Sequence, residues 1–115
     1  MPAELGKADR AVIESAGVQI YPEATFVNGN QDVGFRFATK KSPGDTRDWY
    51  REHLSKWSLY EEHGGWILYD GKPGLGLGAL MSKKQVAVQT NKMLHDWFGV
   101  DEAKTTEIVI MIPRN

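Results

Sequence analysis

Histidines are the side chains of this sequence best suited to proton transfer near neutral pH. His95 is followed directly by Asp96, and His53 lies in a segment where aromatic residues recur at helical spacing. These three residues are the candidate catalytic group, and acid–base catalysis by a His/Asp pair would make the protein a small hydrolase-like enzyme. Adjacent helical residues point about 100° apart, so His95 and Asp96 are poorly placed to act on one another. The third histidine, His63, falls in a polar turn.

Other catalytic chemistries lack their motifs. The chain has no cysteine, which excludes disulfides, thiolate zinc sites and a cysteine nucleophile. No serine lies in a G-x-S-x-G motif, and no pair of histidines has the spacing of a helical zinc site. We therefore expect neither a metal nor a cofactor, and we favour a non-catalytic function.

A glycine-rich run offers a different kind of site. Residues 74–79 match the G-x-G-x-x-A pattern of dinucleotide-binding loops, but a Pro-Gly turn precedes them and no helix is expected to follow directly. The alternation of leucine and glycine instead predicts a bare strand. Such a strand could form the floor of a ligand groove rimmed by two aromatic residues, and the predicted ligand-binding residues are Trp66, Tyr69, Gly74, Gly76 and Gly78.

Net charge argues against a nucleic-acid partner, and hydropathy argues against a transmembrane segment. The formal net charge is −1, and the only basic doublets are Lys40-Lys41 and Lys83-Lys84. Nucleic-acid binding needs a concentrated field of basic residues, so we expect none. No apolar run approaches the ~20 residues of a transmembrane helix. The first residues also lack the basic-then-apolar pattern of a signal peptide.

The candidate residues need elements to position them, and the clearest is a helix over residues 43–57. Ser42 suits its N-cap, Pro43 its first position and Asp45 the third. An apolar stripe at three- and four-residue spacing indicates that one face is buried; it contains Trp49, Tyr50, His53, Leu54 and Trp57. A short helix is predicted near 92–98, and residues 1–17 could form an N-terminal helical extension.

The remaining segments predict strands. Alternating residues around Phe35 and Phe37, a hairpin about Gly64-Gly65, and the apolar run from Thr106 to Ile112 all have strand patterns. The last is apolar on both faces, which predicts a strand that is central or covered. Short connections favour antiparallel pairing. We thus predict a single α+β domain over residues 1–115, with about five or six antiparallel strands and the 43–57 helix packed on one face.

Burial of the four tryptophans also follows from this pattern. Trp49, Trp57 and Trp97 lie on the apolar stripes of predicted helices and should be buried. Trp66 lies in a continuously apolar segment that assigns it no face, and it is beside the hairpin tip, so if any tryptophan is exposed we expect it to be Trp66.

An ordered set of short motifs spans residues 18–70. It runs from Tyr21-Pro-Glu-Ala through a strand ending at Thr39 to Ser42-Pro43, Asp48-Trp-Tyr50 and Trp66. This pattern resembles small bacterial envelope domains, often lipoproteins, with a "YPGA" motif, a strand ending in threonine, a helix and a "GW" step. Here Glu23 replaces the usual glycine, and the lipid-anchoring cysteine is absent. The resemblance implies an α+β fold and a periplasmic or envelope location. It implies no catalytic residue.

The sequence therefore favours a non-catalytic binding or accessory domain of the bacterial envelope, with a protein or small molecule as partner. The first alternative is the hydrolase-like enzyme using His53, His95 and Asp96. The second is a structural module that self-associates through an unpaired strand edge. A cytoplasmic location is equally compatible with a chain that lacks cysteine.

Overall fold

The computed structural model describes residues 4–62 and 64–114. Within them the secondary-structure elements are, in chain order, α1 (Lys7–Ser15), β1 (Thr25–Asn30), β2 (Gly34–Thr39), α2 (Pro43–His53), β3 (Ser58–Glu62), β4 (Gly65–Tyr69), α3 (Leu77–Leu80), β5 (Gln85–Thr90), α4 (Leu94–Phe98) and β6 (Thr106–Met111). The six strands form one antiparallel sheet in the order β1-β2-β6-β5-β4-β3. The predicted α+β class and antiparallel sheet are confirmed.

The last strand lies in the middle of the sheet. β6 pairs with β2 on one side and β5 on the other. Its residues Ile108 and Ile110 are fully buried, and its neighbour Val109 is half-buried on the other face. This placement explains why the strand is apolar on both sides, as predicted.

One face of the sheet carries the main core, and we call it the covered face. Its side chains alternate along four neighbouring strands; they are Phe35, Phe37, Ile108, Ile110, Val86, Val88, Trp66 and Leu68. Ile13 of α1 and Tyr50 of α2 pack against them and are 0% exposed. The opposite face, which we call the open face, carries Arg36, Ala38, Glu107, Val109, Ala87, Gln89 and Ile67.

α2 begins as predicted but is shorter. The Ser42 hydroxyl accepts a hydrogen bond from the Asp45 backbone N–H at 3.1 Å, and Pro43 occupies the first turn. The helix ends at His53 rather than Trp57, because Leu54 has φ −121° and ψ 53°. The chain must reverse within four residues to begin β3 at Ser58. The predicted long helix is therefore wrong, and α2 spans 11 residues.

The glycine-rich run forms no strand. Residues 77–80 form the short helix α3 instead, and Leu80 is fully buried. Gly74 has φ +86°, a conformation that ends an extended segment and that side-chain-bearing residues rarely adopt. The alternation of leucine and glycine thus has the period of a strand, but residues 77–80 form a helical turn that buries Leu80.

The other short helix agrees more closely with its prediction. α4 covers residues 94–98 within the predicted 92–98, and it ends at Gly99, which has φ +72°. Leu94 anchors α4 in a small cluster on the open face with Val27 and Ala38. A bulge between Phe26 and Asn28 interrupts the pairing of β1 and β2 beside Val27.

Candidate functional site

The open face is covered at two places and bare between them. At the β1–β2 side, α4 covers Ala38 with Leu94 and Phe98. At the other end of the strands, residues 70–84 cover Tyr69 and Gln85. The Tyr69 hydroxyl donates to the Lys72 carbonyl at 2.7 Å, and the Gln85 amide donates to the Leu80 carbonyl at 3.0 Å.

A cavity of about 150 Å³ lies on the sheet. Ile67, Ala87 and Val109 lie side by side in register on three adjacent strands, and each is half-buried. They form the apolar part of the lining, with Gly65, Gln89 and Glu107 at the next position along the same strands. A wider depression of about 540 Å³ lies between α1 and the residues after β6, but none of the described polar side chains that line it is buried.

Gly65 keeps one end of the cavity open. A Cβ atom built at this position would lie 2.5 Å from the Val88 carbonyl oxygen, closer than real Cβ contacts allow. Only glycine therefore permits the close approach of β4 and β5 here. The same absence of a side chain leaves space above the strand pair.

Glu107 is the buried charged residue of this site. It is only 5% exposed. The Gln89 amide donates to Oε1 at 2.9 Å, and the Asn91 amide donates to Oε2 at 3.1 Å. Arg36 Nε lies 3.1 Å from Oε2, which makes an ion pair, although this N–H makes no aligned hydrogen bond with any described residue. These three groups offset the cost of burying the carboxylate.

Arg36 is itself held on the side away from the cavity. Its Nη1 donates to Asn28 Oδ1 at 3.1 Å, and its guanidinium carbon lies 5.0 Å from the centroid of the Phe98 ring. The Asn91 side chain connects Glu107 to the start of α4, because its Oδ1 also accepts a hydrogen bond from the Met93 backbone N–H. One polar network thus links Glu107, in the central strand, to α4, which covers the β1–β2 side of the open face.

The candidate catalytic residues do not form a shared site. The His53 ring stacks on Trp49 with centroids 3.9 Å apart, and its Nδ1 lies 2.7 Å from the Trp49 carbonyl oxygen. Among the described residues, the His95 ring contacts the Val100 carbonyl and the Glu102 carboxylate rather than Asp96. Both histidines are exposed on separate helices, and His63 lies outside the described residues.

The predicted groove is also wrong. Trp66 is 4% exposed and Tyr69 is 1% exposed, so neither aromatic ring can form a rim. Trp66 points into the covered face and donates from Nε1 to the Pro43 carbonyl at 2.7 Å. The Tyr69 hydroxyl donates to the Lys72 carbonyl and accepts from the Leu75 backbone N–H, so it is engaged by the loop that follows β4. Gly74, Gly76 and Gly78 are exposed in a loop and in α3 rather than in a strand beside them.

The exposure of Trp66 and Trp97 is the opposite of what the sequence pattern predicts. Trp97 is 62% exposed and Trp66 is buried. Trp49 and Trp57 are half-buried at the margin of the core. Trp97 is exposed because the five-residue α4 buries only Leu94 and half-buries Phe98, which leaves the rest of its surface to solvent.

Charge near α4 does not favour an acid catalyst. A hydrogen bond from the Ala103 backbone N–H, assisted by nearby Lys40, lowers the pKa of Asp101. Asp101 is therefore ionised at neutral pH. Within residues 4–62 and 64–114, no group of three or more acidic or histidine side chains could hold a metal ion.

Glu107 is not among the predicted site residues, although the sequence contains a signal for it. Glu107 is the one charged residue within the most apolar strand, TEIVIM. A charged side chain in a central strand must be paired or must serve a site. The partners of Glu107 come from two other segments, the end of β5 with the residue after it (Gln89 and Asn91) and β2 (Arg36), so the sequence order gave no indication of them.

Two further findings concern membrane-spanning helices and similarity to known proteins. No helix in the described part of the chain is both long and apolar enough to span a bilayer. Comparison with protein-family models, with curated proteins and with solved structures finds no significant match to this chain.

Proposed function

We propose that this protein is a non-catalytic binding domain that holds a small ligand in the open-face cavity. The observation that carries the proposal is the cavity itself, in which an apolar floor meets a buried carboxylate. Small-molecule sites typically combine an apolar lining with a few fixed polar groups. Here Ile67, Ala87 and Val109 supply the first, and Glu107 with Gln89 supplies the second.

The arrangement favours binding over catalysis. His53 and His95 lie away from the cavity lining, and the buried carboxylate is engaged by two amides and a guanidinium rather than by a second acid or base among the described residues. The predicted His/Asp acid–base site would need both groups within reach of one substrate atom, and the structure directs the His95 ring to the Val100 carbonyl rather than to Asp96. The cavity instead offers shape and one fixed charge.

The proposed location is the bacterial cell envelope, where such a domain would act as an accessory protein. Support for this part comes from the resemblance of residues 18–70 to envelope domains. Detection of the protein in the cytosolic fraction of its source cell would contradict it.

Titration with benzyl alcohol, followed by two-dimensional ¹H–¹⁵N NMR, tests the proposed function. A cavity of this size suits a single aromatic ring, since an engineered cavity of about 150 Å³ in another protein binds benzene. We expect shift changes at the amides of Ile67, Ala87 and Val109, with a Kd of about 1 mM for a ligand of this few atoms.

A matched pair of variants controls this experiment. Ala87→Phe places a ring inside the cavity and should abolish the shift changes. Ala103→Phe adds the same ring at an exposed turn and should leave binding unchanged. Changes spread evenly over the protein, or no changes at a saturating concentration, would contradict the proposed function.

A further inference from the structure

The charge of the cavity lining restricts the ligand. Of the described residues that line it, Glu107 alone carries a formal charge. Arg36, its ion-pair partner, does not line the cavity and is held by Asn28 and Phe98 on the other side. Among the described lining residues, a ligand in the cavity therefore meets the Glu107 carboxylate and no positive group.

Glu107 also retains acceptor capacity. A carboxylate offers about four acceptor positions, and the two amides occupy one on each oxygen. Asn91 and Arg36 are both on Oε2, whereas Gln89 is the described donor to Oε1. Oε1 therefore keeps a second acceptor position beside the one that Gln89 fills. Gln89 is exposed, and its amide can therefore be displaced at low cost.

An ammonium group is the donor that matches this position best. A hydrogen bond from an ammonium to a carboxylate is about twice as strong as one between neutral groups, so it would outcompete the Gln89 amide. A carboxylate or phosphate on the ligand would be repelled by Glu107. The half-buried row Ile67, Ala87 and Val109 then holds the apolar body of the same ligand.

We propose that the ligand is a small organic ammonium compound, with one ring or a short branched alkyl body and its charged nitrogen on Glu107 Oε1. This inference rests on the proposed function, because it names the class of ligand for the same cavity. It adds one requirement, a cationic head group.

Three probes with the same ring separate the inference from the function: benzylamine, which is cationic at pH 7, benzyl alcohol, which is neutral, and benzoate, which is anionic. We expect benzylammonium to bind the wild-type protein about 5- to 10-fold more tightly than benzyl alcohol, and benzoate to bind most weakly. The Kd values come from the same NMR titration, and raised salt should narrow the differences.

Two variants sharpen the result. Glu107→Gln keeps the shape and removes the charge, so the preference for benzylammonium should fall to about 1-fold. Gln89→Ala removes the competing amide and keeps the charge, so it should retain or increase the preference. If Glu107→Gln fails to fold, the three probes on the wild-type protein and on Gln89→Ala still decide the question.

The outcomes are distinct. If benzyl alcohol binds in the cavity but benzylammonium binds no more tightly, the ligand class is wrong and the proposed function stands. A preference that persists in a folded Glu107→Gln protein would also overturn the ligand class. If none of the three probes shifts the cavity amides, both proposals fail.

Discussion

The two faces of the sheet are built from the same strands and have opposite roles. On β6, Ile108 and Ile110 point to the covered face and are fully buried, whereas Glu107 and Val109 point to the open face and line the cavity. The covered face is closed by α1 and α2 with apolar side chains. The open face is closed only at its margins, and a polar network occupies its centre. Stability therefore resides mainly on one face, and the other is free to carry a site.

The largest expected difference in stability between the two faces comes from a valine-to-alanine substitution made once on each face. Val88 is 2% exposed on the covered face, and Val109 is half-buried on the open face. Val88→Ala should lower the free energy of unfolding by about 2–3 kcal/mol, because it leaves a cavity in packed surroundings. Val109→Ala should cost about 1 kcal/mol or less. Urea unfolding measures both, and equal losses would show that the open face is packed like the covered one.

Two tryptophans give a smaller contrast. Trp66→Phe removes the Nε1 hydrogen bond to the Pro43 carbonyl, which ties β4 to the start of α2. We expect a loss of about 1–2 kcal/mol. Trp97→Phe changes an exposed side chain on α4 and should change the free energy of unfolding by less than about 0.5 kcal/mol. Thermal unfolding of both variants tests the contrast, which would fail if Trp97→Phe were the more destabilising.

The smallest expected effect is a pH dependence confined to the covered face. Burial raises the pKa of Tyr50, whose hydroxyl donates to the Gln19 carbonyl at 2.9 Å. The unfolded chain loses this proton near pH 10 and the folded chain only at higher pH, so stability is intact below pH 10 and falls above it.

Tyr50→Phe isolates this effect. At pH 8 the variant should be less stable than the wild type by about 1 kcal/mol, the value of the lost hydrogen bond. The difference should shrink as the pH rises above about 10, because the wild type alone loses the contribution of Tyr50. Urea midpoints at several pH values measure it, and a constant difference would mean that Tyr50 titrates at its ordinary pKa.

Local signals predicted much of the fold. The capping residues Ser42 and Pro43 fixed the start of α2, and the doublet Gly64-Gly65 predicted the β3–β4 hairpin. The helix end was not predictable, since the aromatic spacing continues through Trp57 while the chain turns at Leu54 to begin β3. The strand predicted for the glycine-rich run was wrong for a similar reason, because the burial of Leu80 against other segments outweighed the local alternation of leucine and glycine.

The candidate site was less predictable than the fold. Trp66 and Tyr69 are predicted ligand-binding residues because they are aromatic residues near a hairpin. The structure buries both side chains. Glu107 is surrounded by apolar residues in the sequence and is engaged by Gln89, Asn91 and Arg36 in the structure. Nothing in the spacing of these four residues indicates that they meet.

By itself the sequence determined the α+β class, the antiparallel pairing, a last strand that is central or covered, and the absence of cysteine chemistry. These properties follow from periodicity, turn residues and composition, which are local. Only the tertiary structure decided which face each strand presents to the helices, which tryptophan is exposed, and that Glu107 lines a cavity. Those outcomes depend on contacts between distant segments, where packing and the cost of burying a charge outweigh local preference.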